Sequence, residues 1–210
     1  MNTRSYPPER TALVVVDALN DFLAEDGKLS AQIGPMLDKL DLRAQLDRLI
    51  AGAREAGVTV FYAPHGLNAD AFTDIKHVLP RFQFAVDNQV FWEGSYGADF
   101  YPPLRPQDGD VVVGRHHMFD SFAGTDLHEQ LRSHGIEKVV LAGLTSQTCI
   151  EGTGRHALEA GYHVTFLTDA VAEFTEEAHR AALEISYPTF GHEVATIDAF
   201  LSAVEPAKAA

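Results

Sequence analysis

Short all-apolar runs alternate with longer amphipathic segments along this 210-residue chain. ALVVV at 12–16 admits no polar residue until Asp17 ends it, the pattern of a strand buried on both faces. Residues 40–56, LDLRAQLDRLIAGAREA, bring leucine and isoleucine back at helical spacing, and Gly57 stands where a C-cap belongs. VTVFYA (58–63), VVVG (111–114), KVVLAG (138–143) and HVTFLTDA (163–170) predict further buried strands, with a weaker one at EVATI (193–197). Helices are expected over 126–134 before Gly135, over 149–160 before Gly161, from about 175 to 186, and briefly at the C-terminus. Regular strand–helix alternation with all-apolar strands predicts the α/β class. The expected form is a three-layer α/β/α sandwich around a Rossmann-like, mainly parallel sheet of about six strands.

No repeat, low-complexity tract or glycine-serine linker divides the chain, so residues 1–210 are expected to form one domain. The irregular part is 64–110, rich in aromatics and glycines. So long a connection suits a lid or pocket wall, or a second small core or subunit interface. Neither GxGxxG after the first strand nor GxxxxGK[ST] is present, so the architecture does not imply a dinucleotide or nucleotide cofactor.

Composition narrows the partners. Sixteen basic against thirty acidic residues give a net charge of −14, without a basic cluster, which disfavours nucleic acid and anionic membrane surfaces. No apolar run approaches the ~20 residues of a membrane span, and MNTRSYPPER has no apolar core of an export signal. Cys149 is the only cysteine and has no intrachain disulfide partner, as suits a reducing compartment; a cytoplasmic location is expected.

In an open parallel sheet, ligands bind beyond the carboxyl ends of the strands. The residues expected there are Asp17, Pro64-His65, Arg115-His116-His117, the loop 144–148 leading to Cys149, and Thr168-Asp169. Each has an ordinary alternative: a helix cap for Asp17, a small buried hydrophobe for Cys149, polar residues at a strand exit for the histidines. Together a carboxylate, imidazoles and a thiol are what acyl transfer requires. Cys149 follows GLTSQT and opens an expected helix, whose N-terminal N–H groups favour a thiolate and can receive an oxyanion. Glu151 and the net negative charge oppose the thiolate, which gives a local cation such as His116 a role.

These segments resemble the isochorismatase-like cysteine hydrolase superfamily. VVVDALNDFL (14–23) is similar to its catalytic aspartate motif, FAGTDL (122–127) to a landmark after the third strand, and AGLTSQTCIEGTGRHALEAGYHVTFLTDAVA (142–172) to its nucleophile segment. The likeness spans nearly the whole chain and is loose over 64–110. It implies a catalytic triad in which Asp17 is the aspartate and Cys149 the nucleophile. The family's lysine position falls on His116, so the triad implied here is Asp17–His116–Cys149, as in a branch that reads histidine at this point. The resemblance further implies an oxyanion hole from the backbone N–H groups of Thr145 and Cys149, shaped by a cis peptide before Thr145. It also implies a homo-oligomer, dimer or tetramer.

The implied chemistry is cleavage of a C–N bond in a small amide, ureide or imide-like substrate through a thioester, with no cofactor and no metal. Three rivals stand beside it. A nicotinamidase-like metal site would draw on His65, Asp70 and His77, though the Asp-x-His pair is incomplete. Isochorismatase-type vinyl-ether cleavage would not require Cys149. A catalytically silent binding or scaffold protein would explain the absent lysine. Phe22, Trp92 and Phe119, with Tyr96, are candidates for an aromatic substrate pocket. Leu19 stands where relatives commonly carry glutamine. The specific substrate is not encoded in any motif.

Overall fold

The computed structural model describes residues 5–206. Six strands form one parallel sheet in the order β3-β2-β1-β4-β5-β6. They are β1 Thr11–Val16, β2 Thr59–Ala63, β3 Val111–Val112, β4 Lys138–Leu144, β5 His163–Ala172 and β6 Glu193–Ala195. Every residue of β1 is buried, as its unbroken apolar run requires when β2 and β4 flank it and helices cover both faces. The order reverses direction between β1 and β4, which opens a crevice at their carboxyl ends.

The helices among the described residues are α1 Asn20–Leu23, α2 Ser30–Lys39, α3 Leu42–Glu55, α4 Pro80–Asp87, α5 Leu127–Ser133, α6 Glu151–Glu159, α7 Glu176–Ala181, α8 Tyr187–Phe190 and α9 Ile197–Ala203. Leu42, Leu46, Leu49, Ile50 and Ala53 form the buried stripe of α3, and Gly57 follows it at φ +77°. One core lies between the sheet and α2, α3 and α9, with Leu13, Val15, Tyr62 and Val140 on the sheet side. The other packs Val14, Val16, Leu141 and Phe166 against α5, α6 and α8. Alternate residues of β1 thus feed opposite cores, which completes the three layers. No helix among the described residues is long and apolar enough to cross a membrane.

The structure departs from the sequence reading at five places. Val111–Val113 is not a fully buried strand: β3 is two residues long, pairs only with β2 at the sheet edge, and leaves Val112 48% exposed. Helix α2 was hidden in the sequence because Gly34 and Pro35 interrupt its pattern, yet Ile33, Met36 and Leu37 are buried. The helix expected over 149–160 begins earlier, as a wide π-type turn over Ser146–Ile150 that continues into α6. A similar turn, Ala182–Ser186, joins α7 to α8. The expected irregular segment 64–110 contains α4 and two single-turn 3-10 helices.

Candidate active site

Three strand ends bring the chemistry together. Asp17 ends β1 at φ +57°, a conformation asparagine and aspartate tolerate better than most residues. Its N–H donates to Ala63 O at the end of β2 (3.1 Å), and it is fully buried. Gly143 lies opposite, at φ +117°, where a Cβ would stand 2.0 Å from Val16 O; only glycine lets β4 approach β1 this closely beside Asp17. The Leu144–Thr145 peptide that follows is cis, as the resemblance implied.

The turn bearing Cys149 is tied to its surroundings through its backbone. Gln147 N–H donates to Glu173 Oε2 (3.0 Å) at the end of β5, and Tyr187 Oη donates to Ser146 O (3.1 Å). Thr148 N–H and Ile150 N–H both donate to Thr145 O. These bonds were not legible in the sequence. Glu173, four residues beyond Asp169, is the acid that supports the site. Thr168 and Asp169 themselves lie inside β5, where a register irregularity lengthens the strand, and Asp169 accepts Ile197 N–H instead (2.8 Å).

His116 continues the edge of the sheet past β3. Its N–H donates to Pro64 O (3.1 Å), and its carbonyl accepts Gly66 N–H (3.0 Å). The buried ring sits between Asp17 and the Met118 carbonyl: Nδ1 donates to Met118 O (2.8 Å), and Nε2 meets Asp17 Oδ1 at 3.0 Å. A carbonyl only accepts, so Nδ1 carries a proton; opposite an ionised Asp17, Nε2 carries one too, which makes the ring an imidazolium. Burial opposes that charge, but the Asp17 charge and hydrogen bond, with the Met118 carbonyl, hold the ring above its ordinary 6.5. Arg115 and His117 bind backbone instead. The Arg115 guanidinium donates to His65 O (2.8 Å) and Ala98 O (3.0 Å), and His117 Nδ1 donates to Gly66 O (2.7 Å). They fasten the 64–98 segment and take no place beside the thiol.

Cys149 is buried, with Sγ 3.9 Å from Thr148 Oγ1 and 4.0 Å from Met118 O. The N–H groups of the turn do not leave a ready thiolate. Burial, then the charge and hydrogen bond of Asp17, push the thiol well above its usual value, and the Thr148 hydroxyl and Thr145 N–H offset only part of this. Cys149 therefore rests as a thiol beside Asp17.

The thiol opens into a cavity of about 250 Å³. Phe22 and Phe119 line it as expected, joined by Phe82, Phe91 and Phe174, with Arg81 also in the lining. Trp92 is not part of this wall. It lies next to Phe91 and forms a strand-like bridge with Leu67, while Tyr96 is exposed and donates to Asp26. The missed aromatics lie in 64–110 and beyond β5, where no periodicity marks an inward face. Leu19 packs into the core, fully buried. A wider groove at the opposite ends of the strands is lined by His128, Lys138, Tyr162, His163 and His192 and by no cysteine, serine or threonine. Among the described residues no group of three or more His, Cys, Asp or Glu side chains is placed to hold a metal ion. Asp70 and His77 are exposed, whereas His65 is buried in the cavity wall.

Comparison with known proteins places this arrangement in context. The family model described as isochorismatase domain matches residues 11–198. An uncharacterized isochorismatase family protein of Bacillus subtilis (strain 168), YwoC, is 39% identical over 98% of this chain and 100% of its own length. The ureidoacrylate amidohydrolase RutB of Variovorax paradoxus (strain S110) is 27% identical over 95% of this chain and 83% of its own. A cysteine hydrolase from Pseudomonas syringae pv. phaseolicola 1448A superposes with a TM-score of 0.76 at 27% identity, covering 93% and 92% of the two chains.

Proposed function

The chain belongs to the isochorismatase family of hydrolases, and on that premise we propose that it cleaves a C–N bond of a small amide, ureide or imide-like substrate through a thioester on Cys149. The observation that carries this reading is the meeting of Asp17, His116 and Cys149 at the crevice between β1 and β4. A buried thiol there faces a carboxylate that a buried imidazolium holds in place. The relatives' names, cysteine hydrolase and ureidoacrylate amidohydrolase, agree with it.

The steps follow from the proton inventory. Asp17 Oδ1 is occupied by His116 Nε2–H and by His65 N–H (2.6 Å), whereas Oδ2 is buried and receives no N–H group. Oδ2 takes the thiol proton as Sγ attacks the substrate carbonyl carbon, forming the S–C bond. The backbone N–H groups of Thr145 and Cys149 receive the oxyanion. Collapse of the tetrahedral adduct breaks the C–N bond, and Asp17 delivers its proton to the leaving nitrogen. The carboxylate then removes a proton from a water that attacks the thioester. The S–C bond breaks, the acid is released, and the proton returns to sulfur. His116 keeps its two protons throughout, so the cycle changes the charge of Asp17 and the sulfur only. This imidazolium does what lysine does in the family's usual triad, within a narrower pH range.

A screen of small primary amides, ureides and cyclic imides for ammonia or amine release tests the reading. Cys149→Ala is expected to lower kcat/KM about a thousandfold or more. Hydrolysis retained by that variant at more than a tenth of the wild-type rate would refute it.

A further inference from the structure

His65 occupies the cavity wall beside the nucleophile and has no assigned work. It stands two residues past the end of β2, and its backbone N–H holds Asp17 Oδ1 at 2.6 Å, which fixes the residue relative to the reacting groups. The ring packs against Phe91 (centroids 5.0 Å), stacks on Phe82 (6.2 Å) and meets the His116 ring edge-on (5.0 Å). The residue is 4% exposed, and Nδ1 is buried without a partner. Among the described residues its ring forms no hydrogen bond, in a largely apolar lining whose other uncharged polar side chains, Thr145 and Thr148, bond each other (2.6 Å). A buried imidazole without partners is unusual, because an unmet donor or acceptor is costly to bury.

We propose that His65 is a substrate-recognition group, which selects an uncharged, largely apolar acyl segment carrying one hydrogen-bonding atom besides the scissile carbonyl. The inference rests on the hydrolase reading and adds a substrate class to it. Burial, then the neighbouring His116 charge, drive the His65 ring down to about 3, against the pull of Asp17, so it is neutral in the physiological range. A neutral imidazole offers one N–H and one lone pair in either tautomer, and so fits a hydroxyl, an ether, a carbonyl or a ring nitrogen. It offers an anion no charge. A carboxylate drawn in beside Cys149 would be opposed by the charge of Asp17 behind the wall and would lose its water without a countercharge. The cation in the lining, Arg81, is exposed and lies over the Phe119 ring at 5.5 Å, so it meets only what projects from the mouth. The cavity, about 250 Å³, is smaller than the ~300–1,000 Å³ typical of sites for drug-sized ligands. The segment is therefore on the scale of one substituted ring.

Binding to the inactive Cys149→Ala protein isolates recognition from turnover. Three probes of similar size serve: 3-hydroxybenzamide, 3-methylbenzamide and 3-carboxybenzamide, each measured by calorimetry, with the 2- and 4-substituted isomers to allow for placement. The best hydroxyl isomer is expected to bind about 10- to 100-fold tighter than its methyl counterpart, and the carboxylate weakest. With His65→Leu added, the hydroxyl-to-methyl ratio falls to within about threefold of one. His65→Gln, which keeps a donor and an acceptor, retains part of the preference. Equal binding of the hydroxyl and methyl probes, tightest binding of the carboxylate, no binding of any probe, or an unchanged ratio in His65→Leu each overturns the proposal. Any substitution at 65 other than proline keeps the N–H to Asp17, and matching thermal unfolding of the variants confirms that the ratio reports recognition. Selective binding without turnover by the wild type would sink the hydrolase reading and leave the recognition role standing.

Discussion

Replacing His116 by leucine removes the cation from a buried pair. The partners are 3.0 Å apart, with side chains 1% and 0% exposed. Coulomb's law at an effective dielectric of about 20 gives roughly 5–6 kcal/mol at this separation. Desolvation offsets part of it, and removing one partner of such pairs costs about 3–5 kcal/mol. In His116→Leu, Asp17 keeps the His65 N–H on Oδ1 and becomes an uncompensated buried charge. The site relieves this by taking up a proton, and a protonated carboxyl cannot remove the thiol's. Urea unfolding at about pH 6 should therefore show a loss of roughly 3–5 kcal/mol, and kcat/KM should fall at least about a hundredfold. The pH dependence carries a sign. Because the folded state holds His116 above its ordinary value, its contribution is complete below about pH 6.5 and is lost as pH rises through the raised value. The stability gap between wild type and variant should thus be widest near pH 6 and shrink toward pH 9. Wild-type activity should decline over the same alkaline range. His116→Lys keeps a cation to about pH 10 and should move that decline upward. A gap below about 1 kcal/mol, or one that is flat from pH 6 to 9, would refute the role given to His116.

Three further expectations concern the frame and the nucleophile. Gly143→Ala places a methyl group 2.0 Å from Val16 O at φ +117°; a loss of about 3 kcal/mol or more, and of roughly 6–12 °C in Tm, should appear by calorimetry. Asp21 accepts Phe91 N–H (2.6 Å) and Lys28 N–H (3.0 Å), holding an aromatic of the cavity wall. Asp21→Ala should raise KM several-fold more than it lowers kcat, and equal effects on both would show that the wall is held otherwise. Iodoacetamide should alkylate Cys149 slowly at neutral pH and faster with each rise in pH beyond 9, since burial and Asp17 raise the thiol. A fast rate that is constant down to pH 6 would mean that the resting site already holds a thiolate.

The apolar runs carried the sheet. β1, β2, β4 and β5 are central strands whose every face is covered, so composition alone marks them. β3 and Ser30–Lys39 were less legible, because an edge strand needs one neighbour only and a helix with Gly34 and Pro35 is set by packing rather than propensity. Asp17, His116 and Cys149 could be singled out because strand ends and the family resemblance mark them, and the fold brings the three side chains to one crevice. What the spacing could not supply is the depth of the site. Whether Cys149 is a thiol or a thiolate depends on burial and on its distance from Asp17. The N–H bond from His65 to Asp17 and the Glu173 bond to Gln147 are contacts between elements far apart in sequence. Trp92 was a reasonable choice by residue type, but the chain turns through φ +50° at Phe91, and Phe91 takes the place in the wall.

The central claim is that Cys149 becomes acylated in turnover. Wild-type protein mixed with the best substrate from the screen, quenched in acid within one turnover and weighed intact, should carry the mass of the substrate less its leaving amine. Digestion should place that mass on the peptide containing Cys149, and Cys149→Ser should lack a thioester adduct. Product formed in a single turnover with no adduct on Cys149, by a protein whose Cys149→Ser variant turns over equally fast, would contradict the account.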